Sequence, residues 1–383
     1  MNFPWQKIHW RNSGFLIGTF LATIIGAPTY IWHYGLSAFQ ICLFLFLAIS
    51  TGLSITLGYH RMFSHLTFHA KWPVKVFTLL FGAAAFEGSA LGWCADHRRH
   101  HKFTDHDDDP HDISKGFFHA HIGWLLFRMG VETPLTWVRD LQRDRLAVWQ
   151  HENYLALAFG VGFGLPTLLG YLWGGWTSAL GAFLIAGAAR IVFVHHMTFC
   201  INSLCHWIGK QPYSTKCTAR DSLLMAFFTF GEGYHNFHHE FQHDYRNGVK
   251  PWQFDPTKWT IWLLNKTGLV SKLRRVPEEV ILKAQIAERA RRLTETLSAR
   301  QTPISESLHV LLHNAQERMH AALVQWEQLL TEYRAAAERR GEVSRQHLRE
   351  LKRRVNEATA RLRDAVKEWT GAHELIYSAL QVA

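Results

Sequence analysis

Long apolar segments alternate with short polar ones along the first two thirds of the chain. Four of them, residues 14–32, 38–58, 154–173 and 178–199, approach the length of about 20 residues that a helix needs to cross a bilayer. The pattern therefore predicts four transmembrane helices in a domain of residues 1–270. The first segment has basic residues before it, as a signal peptide does. It lacks a small-residue cleavage site, however, and a second segment follows at once, so we expect it to be retained.

The charged residues between these segments predict their orientation. The connections at residues 33–36 and 174–176 carry no lysine or arginine, whereas Lys7, Arg11 and Lys102 lie toward the opposite ends. Because positively charged loops remain in the cytoplasm, both chain termini are predicted to lie there.

A fifth apolar stretch, residues 72–91, contains Lys75 and Glu87 and connects two polar segments that must lie on the same side of the membrane. A single crossing would separate them. This stretch is therefore predicted to lie at the membrane surface or against a cytoplasmic helical domain.

After residue 277 the apolar positions follow a heptad pattern. Their spacing alternates between three and four residues from Leu308 to Tyr333, and again from Leu348 to Trp369, with a break at Arg340-Gly341. The pattern predicts an antiparallel helical hairpin in a cytoplasmic extension of residues 277–383. Packing on the main domain, formation of a homodimer and docking of an electron donor all remain open as its role.

Composition narrows the class of protein. Of 383 residues, 48% are hydrophobic, and the net charge is +10. In a membrane protein, such a charge is typical of cytoplasmic loops beside anionic lipid headgroups. Nucleic-acid binding is not expected, because no basic stripe stands apart from the apolar segments. The five cysteines form no C-x-x-C pair and are expected to be reduced, buried thiols.

Three histidine clusters follow the apolar segments, and they contain His60 and His65; His97, His100 and His101; and His235, His238 and His239. Imidazole is a good ligand for iron, zinc and copper. In the last two clusters, spacings of three and four residues place the histidines on one helical face. Eight histidines exceed the four ligands of one tetrahedral ion, so the sequence predicts a two-metal centre.

The end of the fourth apolar segment adds a second layer. Asn202 and His206 are four residues apart, so His206 is a candidate ninth ligand and Asn202 could bind a metal through water. His195, His196 and Arg190 lie deeper in the segment, where hydrogen-bonded packing is the favoured role. Candidate acids for orienting the ligand imidazoles are Asp96, Asp105, Asp109 and Glu232.

Together with the segments Asp96-His-Arg-Arg-His-His-Lys102, Asn202-Ser-Leu-Cys-His206 and Gly231-Glu-Gly-Tyr-His-Asn-Phe-His-His239, the chain resembles the membrane acyl-CoA desaturases of the stearoyl-CoA (Δ9) family. The resemblance extends from about residue 14 to about residue 262. It implies an all-α integral membrane protein of the bacterial inner membrane that holds two iron ions in a cytoplasmic helical domain. It assigns His60, His65, His101 and His239 to one iron. To the other it assigns His97, His100, His206, His235 and His238, with Asn202 acting through water.

The activity implied by this resemblance is the O2-dependent introduction of a cis double bond, at Δ9, into long-chain saturated acyl-CoA. Trp93 and Thr198 match positions that shape the bend of the substrate tunnel in the resembled family, and Arg128 matches a basic position at its CoA end. In contrast, Ala95, Gly88 and Ser89 depart from the animal members. Acyl chains on phospholipids therefore remain open as substrates, and so does a related di-iron hydroxylase. A metal-binding or metal-transport protein is a remote alternative.

The chain contains no His-Pro-Gly-Gly haem-binding segment, so we expect electrons to come from a separate ferredoxin- or cytochrome-type donor and its reductase. A basic surface around Arg98, Arg99, Lys102 and Arg128 is predicted to attract an acidic donor.

Overall fold

The structure, a computed structural model, describes residues 7–128, 132–299, 306–339 and 344–382. The chain divides into two compact units, Met1–Gln285 and Ile286–Ala383. The described residues are mainly helical, and their strands are two segments of two residues each. The expectation of a helical protein is therefore confirmed.

The longer helices of the first unit carry the apolar segments and the histidine clusters. Their bounds are Trp10–Tyr34, Ala38–Ser64, Trp72–Ala83, Ala90–Phe103, Arg145–Glu152 and Tyr154–His206. Three further helices, Leu223–Phe228, His235–Glu240 and Pro256–Lys266, follow. Short helical turns, Ile113–Lys115, His119–Gly123, Trp124–Leu126, Leu135–Val138 and Leu141–Arg143, connect the second histidine cluster to Arg145–Glu152.

Three helices in the described residues are long and apolar enough to cross a membrane: Trp10–Tyr34, Ala38–Ser64 and Tyr154–His206. The first two contain the first two predicted segments, and the third contains both of the others. At Gly174 and Gly175 its backbone leaves the helical region, and φ of Gly175 is 67°, a conformation that glycine adopts without strain. A Cβ atom on Gly170 would lie 2.7 Å from the Ala182 side chain, so the helical halves pack antiparallel on either side of this break.

Glycine also permits close packing between the first two long helices and the fourth apolar segment. A Cβ atom on Gly181 would lie 2.1 Å from the Gln40 amide nitrogen and 2.4 Å from the Tyr30 ring. The Gln40 amide donates a hydrogen bond to the Tyr30 hydroxyl at 2.8 Å. Ser37 and Gln40 also form a capping box that begins the second helix.

A tight turn at residues 84–88 leads from Trp72–Ala83 into the helix of the second histidine cluster. Arg190 donates hydrogen bonds to the carbonyl oxygens of Ala84, at 2.6 Å, and Gly162, at 3.0 Å. His195 Nε2 lies 2.8 Å from the carbonyl oxygen of Ala85. Both residues therefore have the packing role that the sequence favours, since they satisfy backbone carbonyls that would otherwise be buried unpaired.

Two short strands close the first unit. His69–Ala70 pairs antiparallel with Val270–Ser271. Beside them, the Arg274 amide donates to the carbonyl oxygen of Thr67 at 2.8 Å. This pairing brings the chain that follows the third histidine cluster back to the segment that follows the first.

In the described residues after 277 there are three helices, Glu278–Ala299, Glu306–Glu338 and Arg345–Val382, where the heptads predicted only the last two. The seam is buried along both: Ala315 and Met319 are covered on one helix, and Leu362 and Val366 on the other. The Trp326 indole donates to the Thr359 hydroxyl at 2.9 Å, and an ion pair of 2.8 Å joins Arg318 and Glu368. Both contacts fit antiparallel packing. The predicted break at Arg340-Gly341 lies outside the described residues.

Replacing Trp326 by alanine tests this seam. Because the indole is buried and its N–H is bonded, we expect Trp326→Ala to lower the free energy of unfolding of the C-terminal unit by about 3–5 kcal/mol. The measurement is chemical denaturation of the full chain, in which proteolytic cleavage within residues 306–382 reports the unfolding of the C-terminal helices. Val324→Ala, which changes a half-exposed residue on the same helix, is the matched control. Equal effects of the two substitutions would contradict the seam.

Candidate metal centre

The first histidine cluster lies on a π-helical stretch, Ser54–Ser64, at the end of the second long helix. In this conformation hydrogen bonds join residues five apart, and the His65 amide donates to the carbonyl oxygen of His60 at 3.1 Å. The wider turn places His60 and His65 on the same side of the helix, with 4.9 Å between their ring centroids. The local helix type thus explains how a spacing of five residues brings both imidazoles to one site.

The nine histidines meet in two adjacent groups, and the ligand nitrogens of each group lie within 4.8 Å of one another. One group consists of His60, His65, His97, His101 and His238; the other consists of His100, His206, His235 and His239. All nine expected histidines are thus brought together. The expected division between the two metals is wrong, however, because His97 and His238 belong with His60 and His239 belongs with His100. The crossing of helices Ala90–Phe103 and His235–Glu240 separates neighbouring histidines of one motif into different groups.

The Nε2 atoms within each group face one another at short distances. They are 2.8 Å apart in His65 and His97, 2.9 Å in His60 and His238, and 3.1 Å in His206 and His235. Nitrogen atoms about 2.1 Å from one metal ion are separated by about 3.0 to 3.4 Å in octahedral or tetrahedral coordination. The donor set therefore fits one ion in each group.

Burial favours the neutral form, which binds metals, in six of these imidazoles. Burial first, and then the neighbouring histidines, lower the pKa well below the ordinary value in six of them: His65, His97, His101, His235, His238 and His239. A neutral imidazole has a single N–H, so a buried group of five cannot satisfy all of its inward nitrogens by hydrogen bonds alone. A cation in each group would satisfy them.

Oxygen atoms outside the two groups hold the other ring nitrogen of several histidines. His60 Nδ1 lies 2.8 Å from Glu232 Oε2, and His100 Nδ1 lies 2.9 Å from Asp109. His206 Nδ1 lies 2.8 Å from the Thr218 hydroxyl. Such contacts fix the ring orientation and direct Nε2 toward the metal.

The expected acids differ in their roles. Glu232 and Asp109 contact ligand imidazoles directly, whereas Asp105 acts through Thr218, whose hydroxyl donates to Asp105 Oδ1 at 2.7 Å. The Asp96 carboxyl is bonded to Thr133 instead. Burial favours the neutral form of Asp109, but its contacts with His100 and His111 hold its pKa well below the ordinary value.

A buried ion network supports Glu232, and the sequence did not indicate it. Arg61 donates to Glu232 Oε1 at 2.8 Å and, with two nitrogens, to Asp255 at 3.0 and 3.1 Å. Burial alone would raise the pKa of Glu232, but Arg61 and His60 lower it to about 2. Glu232 is therefore charged when it contacts His60. The sequence offered one signal of this network, because Arg61 lies between His60 and His65 in the first histidine cluster.

A cavity adjoins the metal groups. Its wall includes His60, His97, His100 and His235 together with Asn202, so Asn202 faces the same space as ligands of both groups. Trp93 and Thr198 also line it. A second, more apolar cavity shares Ile55, Thr56, Thr198 and Ile201 with this wall and continues to Gly52 and Phe230.

Glu87 connects two of the predicted substrate residues, and sequence reasoning missed it. The Trp93 indole donates to Glu87 Oε2 at 3.2 Å, and the Thr198 hydroxyl donates to Oε1 at 2.7 Å. Burial raises the pKa of Glu87 to about 7. Arg128, in contrast, is exposed and does not line the cavity; its backbone amide donates to the carbonyl oxygen of Lys7.

Comparison with known proteins agrees with the metal centre. Residues 37–262 match the family model for fatty acid desaturase. The chain is 38% identical over 291 residues to a probable acyl-CoA desaturase of Schizosaccharomyces pombe, a match that covers 74% of this chain and 58% of that protein. It is 35% identical to a Delta(9)-fatty-acid desaturase (fat-7) of Caenorhabditis elegans, covering 72% and 82% of the two chains. It is 35% identical to an sn-1 stearoyl-lipid 9-desaturase of Synechocystis, covering 61% and 71%.

Replacing one histidine of the five-histidine group tests its role as a ligand. His238 Nε2 lies 2.9 Å from Nε2 of both His60 and His101, so we expect His238→Ala to remove at least one metal ion per chain. Elemental analysis of the purified protein measures this. His347→Ala, at an exposed position of the C-terminal unit, is the control. Equal metal contents in the two variants would exclude His238 as a ligand.

A second prediction separates Glu232 from Asp96. Because Glu232 orients His60 and Asp96 contacts no ligand imidazole among the described residues, Glu232→Gln should weaken metal affinity by about 10- to 100-fold. Asp96→Asn should leave it unchanged. Titration of both variants with a competing chelator gives the two affinities, and a larger loss in Asp96→Asn would refute the assigned roles.

Proposed function

The chain belongs to the fatty acid desaturase family, and on this premise we propose that it is an O2-dependent fatty acyl desaturase. Its proposed reaction places a cis double bond at Δ9 of long-chain saturated acyl-CoA. The observation that carries the proposal is the pair of buried imidazole groups beside a cavity that Trp93 and Thr198 line. The chain spans 58% of the length of its yeast relatives, so their activity is inferred here for this chain and is tested below.

The metals proposed for the two groups are iron. Bound there, two irons would pass electrons from the external donor to O2, so that O2 would be reduced to two waters as two hydrogens leave the unactivated chain; zinc could not do this because it has no redox chemistry. Asn202 lies on the wall of the cavity. From there its amide could contact the metal of the four-histidine group through a water molecule, as a fifth ligand.

The protein side chains prepare this site in two ways. Glu232, Asp109 and Thr218 hold the outer nitrogens of three ligands, which keeps their Nε2 atoms directed inward. Burial excludes bulk water from the space where a reactive oxidant would form.

The bend in the substrate is proposed to lie between Trp93 and Thr198. Because Glu87 accepts hydrogen bonds from both, it fixes the distance between two elements that face the cavity. An acyl chain held in a bent form there would give a cis product. The small apolar cavity at Gly52 and Phe230 marks the side on which the chain would continue beyond the bend.

We also propose four membrane crossings with both termini and the metal centre in the cytoplasm of a bacterium. The support is the antiparallel packing on either side of Gly175 and the absence of lysine and arginine from the connections at residues 33–36 and 174–176. Helix Trp72–Ala83 has 12 residues, fewer than a crossing needs.

The acyl carrier is proposed to be CoA, in keeping with the names of the yeast relatives. A specific observation favours phospholipid as the second candidate: one relative of 35% identity is named a stearoyl-lipid desaturase. The exposed position of Arg128, away from the cavity, gives CoA no additional support.

Electrons are proposed to come from a separate ferredoxin- or cytochrome-type protein with its reductase. The basic surface expected for its docking is partly neutralised, because Arg98 pairs with Asp140 at 2.7 Å and Arg99 with Asp108 at 3.0 Å. Lys102 lies over the rings of Phe103 and Trp137. Dimerisation through the C-terminal helices remains a separate proposal.

The proposed reaction is tested by supplying iron-loaded protein with O2, a reducing system and either stearoyl-CoA or a stearoyl phospholipid. Mass spectrometry then locates any double bond. We expect a bond between carbons 9 and 10 from stearoyl-CoA and no product from His238→Ala. Product from phospholipid alone would overturn the carrier, and a hydroxylated product would overturn desaturation.

Glu87 provides a test of the bend. Glu87→Leu removes both acceptors, so we expect it to lower turnover by about 10- to 100-fold through misplacement of the chain and to spread the double bond over neighbouring positions. Bound iron should not change. Glu87→Gln keeps one acceptor and one donor, and should retain the product position. An unchanged product pattern in Glu87→Leu would contradict the role of Glu87.

A further inference from the structure

We propose that an exposed aromatic surface outside the spans rests in the headgroup layer of the bilayer and binds anionic phospholipid. This surface, called the aromatic face, consists of helix Leu223–Phe228, Trp252 and the outer side of helix Pro256–Lys266. Its large apolar side chains are exposed: Leu223 by 67%, Phe227 by 61% and Trp252 by 75%. An apolar patch of this kind marks a site of contact with a membrane or a protein.

The aromatic face is continuous. The Phe227 ring centroid lies 5.1 Å from that of Phe254, and Phe254 lies 5.5 Å from Trp259. Trp262, Leu263 and Lys266 follow Trp259 at intervals of three, four and seven residues, so they share one side of their helix. The rings thus form one surface that crosses both helices and the loop just before the second one.

Its position favours lipid over a protein partner, because it begins where two of the membrane-spanning helices end. Helix Leu223–Phe228 packs against Arg190–Asn202. The Thr257 and Thr56 hydroxyls are 2.7 Å apart, which joins helix Pro256–Lys266 to the end of the second long helix. The Phe230 ring fills the space beside Gly52 of that same helix. The aromatic face therefore lies at the depth where the spans leave the membrane.

The charges at its edges indicate the chemistry of the lipid. Lys250 and Lys266 are exposed, and their ammonium groups each lie 5.5 Å from the ring centroid of Trp252 and Trp262, respectively. The acid between them, Asp255, is buried and bonded to Arg61. Tryptophan and lysine side by side suit the membrane interface, where the ring is half in lipid and the ammonium group meets phosphate. Lysines near an anionic leaflet add affinity that salt screens.

Spin labels at Phe227→Cys and Leu263→Cys test this proposal in nanodiscs, with Asp107→Cys as the matched label on an exposed polar loop. The background replaces the half-buried Cys200 and Cys217 by alanine, and Cys94 and Cys205 are buried. In single-label variants, Cys42 is also replaced. A fourth sample keeps Cys42, which is exposed on the second long helix, as the reporter of lipid. Accessibility to O2, which concentrates in lipid, is compared with accessibility to a water-soluble nickel chelate.

The labels at Phe227→Cys and Leu263→Cys should be more accessible to O2 than to nickel, as Cys42 should be, and Asp107→Cys should show the reverse. The proposal would be overturned if the labels at Phe227→Cys and Leu263→Cys were as accessible to the nickel chelate as the label at Asp107→Cys. If neither O2 nor the nickel chelate reached these two labels, a protein partner would cover the surface instead. The proposal rests on the membrane assignment of the spans. A Cys42 label that is more accessible to nickel than to O2 would refute that assignment. If the Cys42 label prefers O2 and the other two labels prefer nickel, only the proposal for the aromatic face is refuted.

Anionic lipid is tested by comparing discs of pure phosphatidylcholine with discs that contain phosphatidylglycerol. We expect the ratio of O2 to nickel accessibility at Leu263→Cys to rise with phosphatidylglycerol, and the rise to disappear when Lys250→Gln and Lys266→Gln are added. A rise that survives both substitutions, or no rise in the parent protein, would contradict the role of the lysines.

Discussion

Nine imidazoles point their Nε2 atoms at one another in a buried space, an arrangement that a cation in each group would hold together. Neutral rings at 2.8 to 3.3 Å can share only some of their N–H groups, and protonated rings would repel one another at low dielectric. The lowered pKa values of His97 and His238 express the same constraint. Most other features of the first unit serve to keep the rings neutral, oriented and dry.

Charges inside the protein provide that support. Arg61 joins Glu232 to Asp255 and therefore ties the first histidine cluster to the third. Such a buried network is costly unless every member is paired, and here each of the three residues is bonded to another. Deeper in the fold, Arg190 and His195 hold the turn at residues 84–88 by its carbonyl groups. That turn places Glu87 between Trp93 and Thr198, so residues deep in the long helix Tyr154–His206 position a group that is hydrogen-bonded to two residues of the cavity wall.

Local patterns in the sequence predicted what depends on local spacing. The apolar segments, the histidines at intervals of three and four, and the heptad seam all follow from one helix at a time. The division of ligands between two metals depends instead on how Ala90–Phe103 crosses His235–Glu240, more than 130 residues later, and the prediction was wrong there. Glu87 and Arg61 were missed for a related reason, since their partners lie up to 194 residues away. The π-helical stretch at His60 was also unforeseen, because a spacing of five fits no ordinary helical face.

The number and identity of the bound metals are the property of this centre that can be measured most directly. Elemental analysis combined with Mössbauer spectroscopy of protein grown on enriched iron measures both in the intact chain. We predict two iron ions per chain in environments rich in nitrogen ligands, each lost when a histidine of its own group is replaced. A single ion per chain, or zinc as the metal of the active protein, would contradict the account.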